Sequence, residues 1–107
     1  MCGIGLLATN ENCKLEIINE RIRKILKIQA ARGPDYYSDK TIDIEDFKVS
    51  AVHQRLKIID QSENSNQPLL SNDGRYILSF NGEIYNYKEL AKGIKDKTNI
   101  SDGDTGV

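Results

Sequence analysis

The amino-acid sequence predicts one α+β domain, and three segments support this fold class. A short apolar run over residues 3–8 contains two glycines and precedes polar residues, which is typical of a buried strand. From Leu15 to Ala31, apolar side chains recur at three- and four-residue steps, as on one face of an amphipathic helix. Nearer the C-terminus, Asn81-Gly82 joins two short apolar and aromatic runs, which is the strongest short-range signal for a β-hairpin.

The composition narrows the classes of function. The chain has 107 residues with 15 Lys and Arg, 16 Asp and Glu and a net charge of -1, so it lacks the basic surface of a nucleic-acid-binding protein. Its apolar runs are shorter than the roughly 18–20 residues that span a bilayer, and its start lacks the basic region of a signal peptide. We therefore expect a cytoplasmic protein with no nucleic acid and no membrane as partner, in which Cys2 and Cys13 are free thiols.

The predicted helix ends where its sequence pattern stops. Gly33 could supply a left-handed cap, and Pro34 cannot continue the hydrogen-bond ladder. The side chains expected on its buried face are Leu15, Ile18, Ile22, Ile25 and Gln29 or Ala30.

The middle of the chain has a weaker pattern. Residues 36–46 are polar and predict a loop or a weak strand. Apolar and polar residues alternate from Phe47 to His53, which predicts a strand that residues 56–59 either continue or end in a turn. Residues 61–74 are rich in Ser, Asn, Asp and Gln and predict a loop, closed by a turn at Asn72-Asp73-Gly74.

The predicted hairpin has its strands over residues 75–80 and 83–85. Asn86 follows as a helix N-cap, with Glu89 three residues later as its capping-box partner. The apolar stripe of this second helix is expected to contain Leu90 and Ile94.

Cys2 is the most informative residue for chemistry. Removal of Met1 would leave Cys2 with a free α-amino group, whose ordinary pKa of about 7.7–8.0 suits a base at cellular pH. A thiol and an amine on one residue supply nucleophile and base together, as in N-terminal nucleophile hydrolases. The alternative is that Cys2 is a small buried hydrophobic residue.

Two further positions admit a structural and a chemical interpretation. Asn81-Gly82 is either only a tight turn or also a pair of N–H donors for an oxyanion, each worth roughly 3–4 kcal/mol when preorganised. Arg55 either faces solvent or a carboxylate of the protein, or grips a substrate carboxylate. His53 is expected to be a hydrogen-bonded core residue. No metal site is predicted, because Asp102, Asp104 and Gly106 lack the remaining ligands of a calcium loop.

Five blocks of the sequence carry further information when taken together. They are Met1-Cys2-Gly3-Ile4, Arg32-Gly33-Pro34-Asp35, His53-Gln54-Arg55-Leu56-Lys57-Ile58-Ile59-Asp60, Gln67-Pro68-Leu69, and the run from Phe80 to Leu90. In this order, over residues 1–107, the chain resembles the class II glutamine amidotransferase domain of asparagine synthetases. Related amidotransferases share the start but carry a central Thr-Arg-Trp-Ala-Thr-His-Gly motif, whereas this chain has no Trp.

The resemblance implies glutamine hydrolysis to glutamate and ammonia, with Cys2 as the nucleophile. It implies that Asn81 and Gly82 form the oxyanion hole, and that Arg55 holds the substrate carboxylate with backbone help from Leu56, Lys57, Ile58 and Ile59. The substrate ammonium would be taken by Glu83 and Asp104, although the family usually has Glu where this chain has Gly106.

The resemblance also implies a fold and partners. The family's domain is a four-layer αββα sandwich with antiparallel sheets, of which residues 1–107 would be only a part. The synthetase domain that receives ammonia and uses ATP and Mg would lie outside this chain, which itself would need no cofactor. An incomplete sandwich would expose apolar faces, so we expect marginal stability or a homo-oligomer. The alternative function is a truncated, non-catalytic module that binds glutamine or a protein partner.

Overall fold

The computed structural model describes residues 1–57, 63–94 and 104–106. Over these residues the chain is α+β with antiparallel sheets, as the sequence predicts. The helices are α1 (Leu15–Gln29) and α2 (Tyr87–Gly93), and short 3-10 turns cover Glu63–Ser65 and Asp104–Gly106. The strands are β1 (Gly3–Asn10), β2 (Tyr36–Ile44), β3 (Phe47–Arg55), β4 (Leu69–Leu70) and β5 (Ile77–Leu78).

The larger sheet has the strand order β1-β3-β2, with both pairings antiparallel. The helix α1 covers one face of it, and the core is formed by Ile18 and Ile22 of α1 against Val52 of β3. The predicted buried face of α1 is confirmed for these two residues and for Ile25, which is half-buried against them, while Leu15 is exposed and the helix ends at Gln29 instead of Ala31. Neither α1 nor α2 has the length and apolarity needed to cross a membrane.

Three sequence predictions about strands need correction. Over residues 36–46 the loop interpretation is wrong and the strand alternative is confirmed, since Tyr36–Ile44 form the strand β2. Its polar side chains give no clear strand pattern, because β2 lies at the sheet edge and is largely exposed. The strand β1 is not buried on both faces, since only its odd-numbered residues face α1. The loop predicted over 61–74 contains the strand β4.

The hairpin is not where Asn81-Gly82 predicts it. The strands β4 and β5 pair through the turn at Asn72-Asp73-Gly74, where Gly74 has a positive φ of 71°. The Asp73 carboxylate accepts hydrogen bonds from the Ser71 hydroxyl and the Arg75 N–H. These local bonds close that turn, and the segment around Asn81 is left free of strand structure.

The second helix begins at Tyr87 as predicted, with Asn86 at its N-cap, but the Asn86 side chain makes no capping hydrogen bond. None of its residues is buried, and Leu90 is exposed, so the predicted apolar stripe has no core to face in the described structure.

The sheet face opposite α1 leaves several large apolar side chains in solvent. Leu6 and Phe47 are 68% and 52% exposed, and the register places Ile4 and Ile44 on the same face. Contiguous apolar surface of this kind favours association. This face is therefore the surface through which we expect a homo-oligomer to form.

Gly33 lies against the backbone of β3, and it does not adopt the left-handed conformation of the predicted cap. A Cβ atom at this position would come within 2.3 Å of the Gln54 carbonyl oxygen and 2.7 Å of the Arg55 nitrogen. The neighbouring Asp35 N–H donates to the Arg55 carbonyl at 3.1 Å, which ties this segment to the end of β3.

We expect Gly33→Ala to lower the free energy of unfolding by about 1–3 kcal/mol, because the atoms that would clash belong to the backbone and cannot rotate away. Urea denaturation measures this loss. The matched control is Gly93→Ala, where nothing lies within 4 Å of the added Cβ and stability should be kept or slightly raised. Equal stability of the two variants would contradict the close approach at Gly33.

Candidate active site

A cavity of about 360 Å³ opens at the end of β3, within the size range of small-molecule sites. Its wall combines a thiol, a buried cation, two carboxylates and amide groups. The lining residues are Met1, Cys2, Arg55, Leu56, Ser65, Gln67, Phe80, Asn81, Gly82, Glu83, Tyr85, Asp104 and Thr105.

The register of β1 against β3 brings Cys2 and Arg55 together. Gly3 pairs with Gln54, so the next step of the antiparallel ladder places Cys2 opposite Arg55. Because side chains alternate along a strand and Val52 faces α1, the side chain of Arg55 lies on the opposite face of the sheet. Residues 53 positions apart in the chain thus meet at one wall of the cavity.

The Cys2 thiol is half-buried, and both ends of the residue are held in place. The Leu56 N–H donates to its Sγ at 3.4 Å, and the Arg32 Nε donates to its carbonyl oxygen at 3.2 Å. Cys2 and Cys13 are both free thiols. The sulfur is therefore available for chemistry at a defined position.

Arg55 is the buried cation of the cavity, with 5% of its surface exposed. Its Nη1 donates to the Asn66 Oδ1 at 2.7 Å, and the Asn66 Nδ2 donates in turn to Glu63. A guanidinium held in this way at a cavity wall suits an anionic group, above all a carboxylate.

The Asn81-Gly82 segment is positioned through the residue before it. The Phe80 N–H donates to the Gln67 Oε1 at 2.6 Å, and the Phe80 carbonyl oxygen lies 3.3 Å from the His53 Nε2. Asn81 is half-buried and Gly82 is exposed, with both lining the cavity. No strand pairing involves these two residues, so their amide groups can hydrogen-bond a ligand in the cavity.

Asp104 is the buried carboxylate of the cavity. Its Oδ2 accepts the Ile84 N–H at 2.7 Å, and its Oδ1 accepts the Thr105 hydroxyl at 3.3 Å. The first bond places Asp104 beside the residue that follows Glu83. Two carboxylates thus share one side of the cavity, which suits a cationic group.

His53 is fully buried beneath the Phe80 segment. The Phe80 carbonyl oxygen can only accept a hydrogen bond, so the Nε2 of His53 carries the ring proton. The Nδ1 atom has no hydrogen-bond partner among the described residues. Burial lowers the pKa of His53, the Phe80 hydrogen bond opposes this, and the positive charge of Arg55 lowers it further.

The lowered pKa of His53 predicts that the chain loses stability in mild acid. Below about pH 6.5, the unfolded chain takes up a proton on this residue that the folded chain does not bind. The free energy of unfolding therefore decreases as the pH is lowered. Urea denaturation at pH 7.5 and at pH 5.5 measures the effect. The slope should be smaller for His53→Gln, whose amide can still donate to Phe80, and equal slopes in both proteins would contradict the prediction.

The structure brings together most of the residues that the sequence singles out. Lys57 is not in the cavity wall; its N–H donates to Asp35 and its ammonium pairs with Glu63. Ile58 and Ile59 lie outside the described residues. The predicted site residues that line the cavity are Cys2, Arg55, Leu56, Asn81, Gly82, Glu83 and Asp104.

Several polar residues of the site carry no sequence signal for a role. Gln67 belongs to the Gln67-Pro68-Leu69 block of the family resemblance, but nothing in the sequence gives its side chain a role, and Thr105 and Ser65 lie in segments without periodicity. Their positions depend on chain segments that meet only in the folded state. Among the described residues, no cluster of three His, Cys, Asp or Glu side chains is placed to hold a metal ion.

This geometry suits a small zwitterion with an electrophilic carbonyl. The cation and the two carboxylates could bind opposite charges, while the thiol and the amides of Asn81 and Gly82 lie in the wall of the same cavity. Such an arrangement supports acyl transfer from an amino acid.

Comparison with known proteins gives consistent results. The family model described as a glutamine amidotransferase domain matches residues 1–107. Asparagine synthetase [glutamine-hydrolyzing] of Brassica oleracea is 36% identical over 97 residues, which is 90% of this chain and 15% of that protein. Asparagine synthetases 1 and 2 of Bacillus subtilis are 35% and 40% identical over 100% and 88% of this chain.

The chain thus spans only 12% to 17% of the length of these relatives. No solved structure shows a significant match to it.

Proposed function

The chain belongs to the glutamine amidotransferase domain family, and from this premise we propose that it hydrolyses the side-chain amide of glutamine to glutamate and ammonia. The observation that carries the proposal is the meeting of Cys2, Arg55 and the Asn81-Gly82 segment around one cavity. The relatives named as glutamine-hydrolysing asparagine synthetases support glutamine as the substrate.

The first chemical step is attack of the Cys2 Sγ on the side-chain carbonyl carbon of glutamine. The α-amino group of Cys2, freed when Met1 is removed, accepts the thiol proton and passes it to the amide nitrogen, which departs as ammonia when the C–N bond breaks. Met1 is 76% exposed, which supports access of a processing enzyme to this bond. The side chain of Asn81 and the N–H of Gly82 stabilise the oxyanion of the tetrahedral intermediate.

The second step is hydrolysis of the resulting thioester. The same amine accepts a proton from a water molecule as the water oxygen attacks the thioester carbonyl, and it returns the proton to the departing thiolate. The products are glutamate and the regenerated Cys2 thiol. This chemistry needs a reduced thiol, which supports a cytoplasmic location.

Substrate binding follows from the charges of the cavity wall. We propose that Arg55 binds the α-carboxylate of glutamine, since it is a buried guanidinium held by Asn66. Glu83 and Asp104 bind the α-ammonium; the oxygens of Asp104 keep accepting capacity beyond the bonds that they already make. A contribution from the backbone of Leu56, Lys57, Ile58 and Ile59 stays a prediction.

The relatives suggest what receives the ammonia. We propose that it passes to a synthetase domain or a partner chain that makes asparagine with ATP and Mg, while residues 1–107 act as the amidotransferase domain without a cofactor. We also propose that the two sheets belong to a four-layer sandwich. The helix α1 on one sheet face and the Phe80 segment on the other support this arrangement.

A homo-oligomer is proposed on the exposed face around Leu6 and Phe47. Sedimentation of the purified chain at two concentrations tests it. A single monomeric species with a cooperative thermal transition would contradict association through this face.

The experiment that tests the main proposal combines an intact mass with a product assay. The mass first establishes that Met1 is absent, and the assay then follows glutamate and ammonia from glutamine, with asparagine as the control amide. Equal amounts of both products support the proposal. Glutamine binding without product, in protein that lacks Met1, would support the alternative of a non-catalytic binding module.

A further inference from the structure

Gln67 uses its side-chain amide to join two segments of the cavity wall. It is only 6% exposed; its Oε1 accepts the Phe80 N–H at 2.6 Å, and its Nε2 donates to the Thr105 Oγ1 at 3.2 Å. Its carbonyl oxygen also accepts the Ser38 hydroxyl at 2.6 Å, which attaches the residue to the strand β2. A buried amide with both ends bonded has a defined orientation.

The two partners of this amide each adjoin a proposed binding group. Phe80 directly precedes Asn81 and Gly82, the donors to the oxyanion. Thr105 directly follows Asp104 and donates to its carboxylate. The Gln67 side chain therefore helps to set the distance between Asn81-Gly82 and the Asp104 carboxylate, although Gln67 itself is uncharged.

We propose that Gln67 is a positioning residue, which sets the spacing between the Asn81-Gly82 donors and Asp104 so that glutamine is held at both ends. This proposal rests on the proposed glutaminase function. His53 holds the same residue from the other side. Its Nε2 donates to the Phe80 carbonyl oxygen, while the Phe80 N–H donates to Gln67. The backbone of Phe80 is thus held at both of its polar groups.

The two bonds of Gln67 have separable consequences. Loss of the bond to Phe80 frees the oxyanion donors and should lower kcat, because misplacement of a catalytic group by about 1 Å can cost about 10²-fold. Loss of the bond to Thr105 frees the ammonium end and should raise KM by up to about tenfold, the equivalent of one hydrogen bond.

The test compares variants that remove one bond or both. Gln67→Met keeps the length of the side chain but neither bond, so kcat should fall about 10²-fold and KM should rise. Thr105→Val should raise KM alone, and Thr105→Ser, which keeps the hydroxyl, should restore it. Thr41→Val is the matched control, because it removes the 2.7 Å contact to Ser50 outside the cavity and should leave both constants unchanged.

A merely structural role makes a different prediction. In that case Gln67→Met would lower the folded fraction, measured by circular dichroism, while kcat per folded molecule and KM stayed at the wild-type values, and the proposal would be overturned. Should Gln67→Met fail to fold, the Thr105 pair decides, since equal KM values for Thr105→Val and Thr105→Ser would also overturn it.

One measurement separates this proposal from the proposed function. Amide hydrogen exchange at Phe80, whose N–H donates to the Gln67 Oε1, should accelerate in Gln67→Met whether or not the wild-type chain releases glutamate. If wild type gives no product but exchange accelerates, the glutaminase proposal fails while the positioning by Gln67 stands. Unchanged exchange at Phe80 overturns the positioning role itself.

Discussion

Cys2→Ala is expected to lower the rate of glutamate release by at least about 10⁴-fold, to the background of uncatalysed hydrolysis. The variant keeps the α-amino group, the buried Arg55 and the amides of Asn81 and Gly82, but it has no sulfur to form the thioester. Glutamine should still bind, because none of the charged groups of the cavity is changed. A coupled glutamate assay and a binding titration measure the two effects.

Cys13→Ala is the matched control for this prediction. Cys13 packs beside the core formed by α1 and β3 and does not line the cavity, so its removal should leave the rate per folded molecule unchanged. Glutamate release that persists in Cys2→Ala, or that disappears equally in Cys13→Ala, would contradict the role of Cys2.

Asn81→Ala is expected to lower kcat by about 10²–10³-fold with little change in KM. In the proposed mechanism the Asn81 amide donates to the oxyanion, which exists only once the thiol has attacked, and one such donor is worth roughly 3–4 kcal/mol. Gly82 keeps its N–H, so some stabilisation should remain. Steady-state kinetics on glutamine measure the separation between kcat and KM.

Asn86→Ala provides the matched control for Asn81. Asn86 is exposed, makes no capping hydrogen bond and does not line the cavity. Its replacement should change kcat by no more than about twofold. A loss in Asn81→Ala that appears as a higher KM instead of a lower kcat would assign the side chain to substrate binding and not to the oxyanion.

The sequence predicts best where the signal is local. The helix α1 is identified because its apolar residues repeat with the helix period, and Ile18 and Ile22 are buried as this period requires. The strand β3 is recognised from the alternation that starts at Phe47. In α1 one buried face imposes its periodicity on the sequence, whereas β3 is buried on both faces from Ser50 to Arg55 and alternates clearly only near its start.

The prediction fails where pairing partners decide the structure. The strand β2 has polar residues on both faces, and its pairing with β3, through backbone bonds and side-chain contacts such as Thr41 to Ser50, makes it a strand. The Asn81-Gly82 pair has the composition of a hairpin turn, yet the hairpin closes at Asp73 and Gly74. Held by Gln67 and His53, the Asn81 segment instead faces the cavity.

The chemical inventory of the site could be named from the sequence, because a thiol at the start, an arginine at a strand end and an amide pair are recognisable residue types. Their assembly into one site followed only from the resemblance to the amidotransferase family, because the residue types and their spacing do not predict it. Cys2 meets Arg55 through the register of β1 on β3, and Asp104 reaches the cavity through its bond to the Ile84 N–H. Register and long-range hydrogen bonds arise only when distant segments pack, so it is the tertiary structure that brings these groups to one cavity.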